Sequence, residues 1–163
     1  MDIIVGNICS LLAMGTDSLS STRKSTRDVL LVQSLSQLIY GIGAVILGGY
    51  SAAVQNAVSI LRNFIALRGQ TPAAVQWLLV ALGVILGLLF NNLGIPGLLP
   101  VIANLEYSLA VFRFRDNERA LKAAFLISVG LYGIFNLFIL NVVGFLTNTA
   151  VVIMTAVYLI KNS

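Results

Sequence analysis

Seven apolar stretches divided by short polar breaks organise the chain, at residues 3–16, 29–47, 50–67, 73–90, 95–112, 120–140 and 142–160. A helix needs about 20 mostly apolar residues to cross a hydrocarbon core of about 30 Å. Only the first stretch is short, and it must run on into Asp17-Ser18 or pack against neighbours to span. None of the stretches shows the charged face on every turn that marks an amphipathic soluble helix. The breaks carry helix-ending chemistry: Gly48-Gly49, Gly69-Gln70-Thr71-Pro72, Asn91-Asn92-Leu93-Gly94 and Asn141. Pro72 suits the first turn of the fourth helix, where its missing N–H is not needed. The pattern predicts an all-α polytopic membrane protein with seven transmembrane helices.

Composition strengthens that reading and removes several functions. Of 163 residues, 58% are hydrophobic and 10% are charged, against about 25% charged in a soluble domain. The sequence holds no histidine, the commonest metal ligand, general base and proton relay. The single cysteine, Cys9, excludes an intrachain disulfide and a cysteine metal cluster. An intramembrane enzyme is therefore disfavoured: the sequence offers no paired intramembrane carboxylates, no metal-ligand cluster and no need for a cofactor. Lys24, Lys122 and Lys161 lie at loops or ends, so none could hold a retinal Schiff base within a span. Met1-Asp2 begins with an acid where a secretory signal has a basic region, so the first stretch is expected to stay in the protein.

The placement of charge orients the chain. With seven spans, Arg23, Lys24, Arg27, Arg68, Arg113, Arg115, Arg119, Lys122 and Lys161 all fall at one side, and Arg62 lies within the third span toward that side. The positive-inside rule then puts the N-terminus outside and the C-terminus in the cytoplasm. The same topogenic charge accounts for the net +4, so basicity gives no support for nucleic acid as a partner. Membrane lipids are the expected surroundings, and the sequence is silent on oligomeric state.

A shift of 92 residues aligns the first third with the last. It sets Ser36, Tyr40, Gly41 and Ile42 on Ser128, Tyr132, Gly133 and Ile134, Asn56 on Asn148, and Arg23 and Arg27 on Arg115 and Arg119. Tyrosine, asparagine and arginine are scarce in such chains, so their gapless agreement predicts a duplication. The predicted units are a three-helix repeat at 1–68, a linker helix at 69–93 and a second repeat at 94–163. Corresponding helices are four crossings apart, so the repeats point the same way, as in parallel-repeat transporters with sites at the repeat interface. The fourth helix restores that orientation.

Depth brings candidate residues together. Asn56 lies six residues from the outer end of its span and Asn148 six residues into the seventh, each ~9 Å deep. Tyr40 and Tyr132 stop ~11 Å short of the outer end. Two amides and two phenols near one level suit a small neutral solute with hydroxyl or amide groups. The alternative is structural: asparagine and tyrosine as glue between helices, at about 0.6 kcal/mol per pair. Glu106, ~16 Å into the fifth span, is the acid deepest in a span and a functional candidate by default. Its depth resembles that of Arg62, which permits an ion pair acting as a gate or a proton-coupling site; the structural alternatives are a plain helix-to-helix tie or Arg62 snorkelling toward the inner surface. Gly41, Gly43, Gly133, Pro96 and Pro100 are the candidates for backbone flexibility, the two prolines as a hinge.

The segments Gly49-Tyr50-Ser51-Ala52, Asn56-Ala57 and Leu67-Arg68, with Leu98-Leu99-Pro100-Val101-Ile102 through Phe112-Arg113, resemble the YgjV-type family of bacterial inner membrane proteins over nearly the full length. That family is similar to the PQ-loop/SWEET transporter group. The resemblance implies an inner-membrane protein with a SWEET-like 3+1+3 arrangement. It also implies that Asn56 and Asn148, on the third and seventh helices, face a substrate. Prolines act as hinges on four helices of that group, and here Pro96 and Pro100 fall only on the fifth. The expected function is transport of a small neutral polar metabolite, sugar-like or vitamin-like, by alternating access between two helix bundles. The alternative is a non-transporting scaffold or assembly protein whose polar pairs are structural.

Overall fold

Long apolar runs broken by glycine, proline and asparagine leave the backbone one way to satisfy itself, which is helix formation between the breaks. The computed structural model describes residues 2–21, 26–68, 72–114 and 117–161. Across these the elements are α1 Asp2–Ser21, α2 Thr26–Ile46, α3 Tyr50–Ala66, α4 Ala73–Leu89, α5 Ile95–Arg113, α6 Glu118–Phe138 and α7 Val142–Lys161. No strand occurs among the described residues. Arg23, Lys24 and Arg115, which the charge pattern invokes, lie outside them.

The helix count agrees with the apolar pattern, but the lengths differ from seven full spans. Among the described residues, α7 alone is long and apolar enough to cross a membrane by itself. The apolar parts of α1, α2, α4, α5 and α6 are 17 residues or shorter, about 25 Å. Polar and charged residues enter at their ends, as with Asp28 and Arg113, and α3 carries Gln55, Asn56, Arg62 and Asn63 along its middle. Such helices reach their depth as members of a bundle.

Six helices close a ring. α1 packs on α2, α2 on α3, α3 on α5, α5 on α6, α6 on α7, and α7 returns to α1. Within each half the middle helix separates the other two: α1 does not touch α3, nor α5 α7. The fourth helix stands outside this ring and covers the α3–α5 seam, pressing the small residues Gly83 and Gly87 toward Gln55 and Val101, the close approach that a small-xxx-small pair permits in membranes.

The two halves end their second helices in the same way. α2 and α6 start at 26 and 118, and α3 and α7 at 50 and 142, each 92 residues apart. At the end of α2, the Gly49 N–H donates to the Ala44 carbonyl (2.7 Å) and the Gly48 N–H to Val45 (3.1 Å), with Gly48 left-handed at φ 75°. At the end of α6, Asn141 donates to Asn136 (2.9 Å) and Leu140 to Leu137 (3.3 Å), with Leu140 left-handed at φ 56°. Both are Schellman caps. Each left-handed carbonyl is then held by an asparagine distant in the chain: Asn92 Nδ2, in the turn after α4, donates to Gly48 O (2.8 Å), and Asn7 Nδ2 of α1 to Leu140 O (3.0 Å). Asn7 Oδ1 also accepts from Val143 N at 2.9 Å, tying α1 to the start of α7.

The cap predicts a backbone effect free of packing. Nothing lies within 4 Å of a Cβ built on Gly48, so Gly48→Ala pays only the left-handed strain of an L-residue, about 1 kcal/mol. Its thermal midpoint in micelles should fall by a few degrees, and Leu140→Gly should gain from the converse relief. An unchanged midpoint in Gly48→Ala would contradict the cap geometry.

An apolar cluster of Ala44, Ala52, Phe135 and Ile139 fills the end of the ring that holds these caps, with Leu47, Leu93, Leu99 and Tyr132 against it. Phe135 is 1% exposed. The basic residues Arg27, Arg68, Arg113, Arg119 and Lys161 lie toward the opposite end.

Candidate functional site

Two glycines set the position of the candidate amides. A Cβ on Gly41 would lie 3.5 Å from Asn56 Cβ, and one on Gly133 would lie 3.4 Å from Asn148 Cβ. In each half, therefore, the second helix turns a bare backbone to the asparagine of the third, and the two contacts are 92 residues apart in both partners. Asn56 is 8% exposed, and Asn148 is partly buried.

Their hydrogen bonding separates them from the other asparagines. Asn7, Asn63, Asn91, Asn92, Asn104, Asn117, Asn136 and Asn141 each make a side-chain hydrogen bond. Asn56 and Asn148 accept or donate none among the described residues. In a membrane interior, buried polar side chains ordinarily find partners on neighbouring helices. A symmetry-related pair without such partners is a pair of amides with bonding capacity to spare.

Tyr40 and Tyr132 occupy equivalent places on α2 and α6, both partly buried. Tyr132 packs against the apolar cluster at the capped end. Tyr40 is engaged in an interaction of its own. A phenol beside that cluster joins an apolar wall to the polar level beneath it.

Arg62 and Glu106 do not meet. Leu61 and Phe64 are the exposed residues beside Arg62, at 44% and 50%, whereas Ser59 and Asn63 are buried; Arg62 is turned away from the exposed face of α3. Tyr107 on α5 and Tyr132 on α6 are the groups that act electrostatically on its guanidinium. Glu106 shares a face of α5 with Ile102, Leu109 and Arg113, where the side of the helix holds a cavity of about 430 Å³. Its Oε2 is enclosed and has no hydrogen-bond partner. No ion pair joins the two residues among those described. Helical phase turns Arg62 from the exposed face of α3 and sets Glu106 on the exposed face of α5.

The hinge candidates are placed differently from each other. Pro96 occupies the first turn of α5 after Gly94 at φ 64°, where it replaces no helical bond, while Pro100 lies inside the helix. Pro100 is fully buried, and its missing N–H leaves a gap in the ladder at which α5 can bend.

One polar constellation escaped the sequence reading. Gln55 Nε2 donates to the Gly83 carbonyl of α4 at 2.8 Å, and Asn104 Nδ2 of α5 donates to Gln55 Oε1 at 2.6 Å. Gln55 is 1% exposed, and the seam around it has no room for a water molecule. This is a lock among three helices rather than a site. A polar residue beside Asn56 was the available signal, but sequence alone does not name its partners. Among the described residues no group of three or more cysteine and acidic side chains comes together to hold a metal.

No curated protein and no solved structure gives a match to the chain. The family model Imp-YgjV, described as a bacterial inner membrane protein, matches residues 4–163. The chain belongs to the Imp-YgjV family of bacterial inner membrane proteins.

Proposed function

We propose that the chain is a transporter that passes a small polar metabolite through the six-helix ring, with Asn56, Asn148, Tyr40 and Tyr132 as its binding set. The observation that carries this reading is the matched pair of asparagines, each lodged against a glycine and each lacking a protein partner among the described residues. Two amides read hydroxyl or amide groups, and a phenol adds a ring for stacking.

The working cycle in this reading is alternating access. The repeats are parallel three-helix units joined by α4, an arrangement similar to the PQ-loop/SWEET group, and the shared 92-residue spacing of helix starts and caps supports it. The N-terminus is outside and the C-terminus cytoplasmic, as the one-sided basic residues favour. The Phe135 cluster then closes the outer end, and bending of α5 at Pro100 contributes to its release. Glu106 is the carboxylate positioned in a span to exchange a proton.

Uptake into proteoliposomes tests the proposal, using a panel of sugars, nucleosides, carboxylic acids and vitamins. A transported solute should lose at least tenfold in rate with Asn56→Ala or Asn148→Ala, while the thermal midpoint moves by no more than a few degrees, since neither amide has a bond to lose. The alternative of a non-transporting scaffold gives the reverse: no uptake, and both variants markedly less stable.

A further inference from the structure

Arg62 gives the proposed solute a sign. Two turns above it on the same stripe of α3, Gln55 reaches across to Asn104 on α5, so this stripe faces the ring seam. Successive residues turn by ~100°, which sets Arg62 ~130° from the centre of the lipid-facing arc marked by Ala57, Leu61 and Phe64. Tyr107 and Tyr132, from α5 and α6, are its electrostatic neighbours. These are neutral hydroxyls, able to accept a hydrogen bond from the guanidinium but not to balance its charge.

No acid does so among the described residues. Asp2 and Asp28 lie in the first turns of α1 and α2, and Glu106 is on the outward face of α5. A charge inside a membrane protein is ordinarily paired or placed on a substrate path. Arg62 has no such pair among the described residues. Met154 occupies the equivalent place in the other half, so that position carries no charge there.

We infer that the solute carried by the ring is an anion, a small carboxylate or phosphate compound whose charged group sits on Arg62 while its hydroxyl or amide groups reach Asn56 and Asn148. This rests on the transport reading above and replaces the neutral solute expected from the amides alone. A guanidinium offers a planar fork that matches two oxygens of a carboxylate or phosphate. Asn56 and Arg62 are separated by ~9 Å along α3 and ~120° around it, so they would hold a solute from the α2 side and the α5 side, the long arginine side chain covering part of the distance. A single charge in an otherwise two-fold site also fixes which end of the solute points to which half.

Thermal unfolding of the purified chain in nanodiscs tests this at constant ionic strength, with inorganic phosphate and acetate as charged probes and glucose and glycerol as uncharged ones. Phosphate or acetate is expected to raise the midpoint saturably in the native chain. Arg62→Lys should weaken that response several-fold with a midpoint without probe close to native, and Arg62→Gln at least tenfold with a midpoint without probe that is native or higher, since it removes an unpaired charge from a span. Should Arg62→Gln fail to fold, the graded loss in Arg62→Lys carries the test. A response to glucose or glycerol that Arg62→Gln leaves intact, with none to the anions, overturns the anion assignment and leaves transport standing. No response to any probe also overturns it, and transport is then decided separately by the uptake of the Asn56 and Asn148 variants.

Discussion

Gln55→Leu is expected to lower the stability of the fold by about 2 kcal/mol, seen as a fall of roughly 4–8 °C in thermal midpoint for a chain of this size. The substitution removes the bonds to Gly83 O and from Asn104 Nδ2 together. The bonds alone would not give that magnitude, because hydrogen bonds between membrane helices average about 0.6 kcal/mol. The larger part comes from Asn104, whose amide is left facing a seam that has no room for water, at about 1–3 kcal/mol for an orphaned buried group. Asn104→Leu in the same background should therefore restore much of the loss, since an apolar pair leaves no orphan. Because Gln55 is also a bond from α3 to α4, the single variant should be cleaved by added protease faster than the native chain. A neutral Gln55→Leu, or a double variant worse than the sum of the singles, would show that the seam is held by packing alone.

That seam illustrates what a linear sequence discloses and what it hides. Helix positions were legible because a 20-residue apolar run and a glycine or asparagine break are local signals. The 92-residue spacing read from scarce residues recurs in the starts of α2 and α6 and of α3 and α7 and in the caps, some of which residue identity conceals. Leu140 takes the left-handed position that Gly48 holds in the first half, although nothing about leucine announces it. Asn56 and Asn148 were legible as a pair, but not their packing on Gly41 and Gly133. Gln55 and Asn104 were not legible as partners, because a polar residue in an apolar run specifies depth and leaves its bearing to tertiary packing. The same gap explains Arg62 and Glu106. Depth along each span suggested one level, yet helical phase sets Glu106 on the face it shares with Arg113, away from the ring interior. The fourth helix, expected as a connector that sets orientation, packs over the seam between α3 and α5, a placement its sequence does not announce.

Glu106→Leu is expected to stabilise the chain, and by a comparable amount in the opposite direction. A carboxylate at the centre of a span is unfavourable by about 2.5–3.5 kcal/mol on insertion scales drawn from aspartate and the basic residues, and Glu106 recovers none of this from a hydrogen bond to Oε2. Arg113 lines the same cavity, but two turns of helix separate it from Glu106, about 10 Å along the axis. Leucine would join Ile102 and Leu109 on an apolar face, so the thermal midpoint should rise by several degrees and yield in membranes should improve. Glu106→Gln should give part of that gain, since it removes the charge and keeps a polar group. An acid retained at such a position against stability fits a group with a task in proton exchange, because proteins commonly give up stability at functional sites. Uptake driven by an imposed pH gradient should then collapse in Glu106→Leu and Glu106→Gln alike, with exchange of solute across the membrane at equal pH preserved. A Glu106→Leu chain that is less stable than native would mean that the carboxylate has a partner in the membrane, and a native response to the pH gradient would remove it from the coupling path.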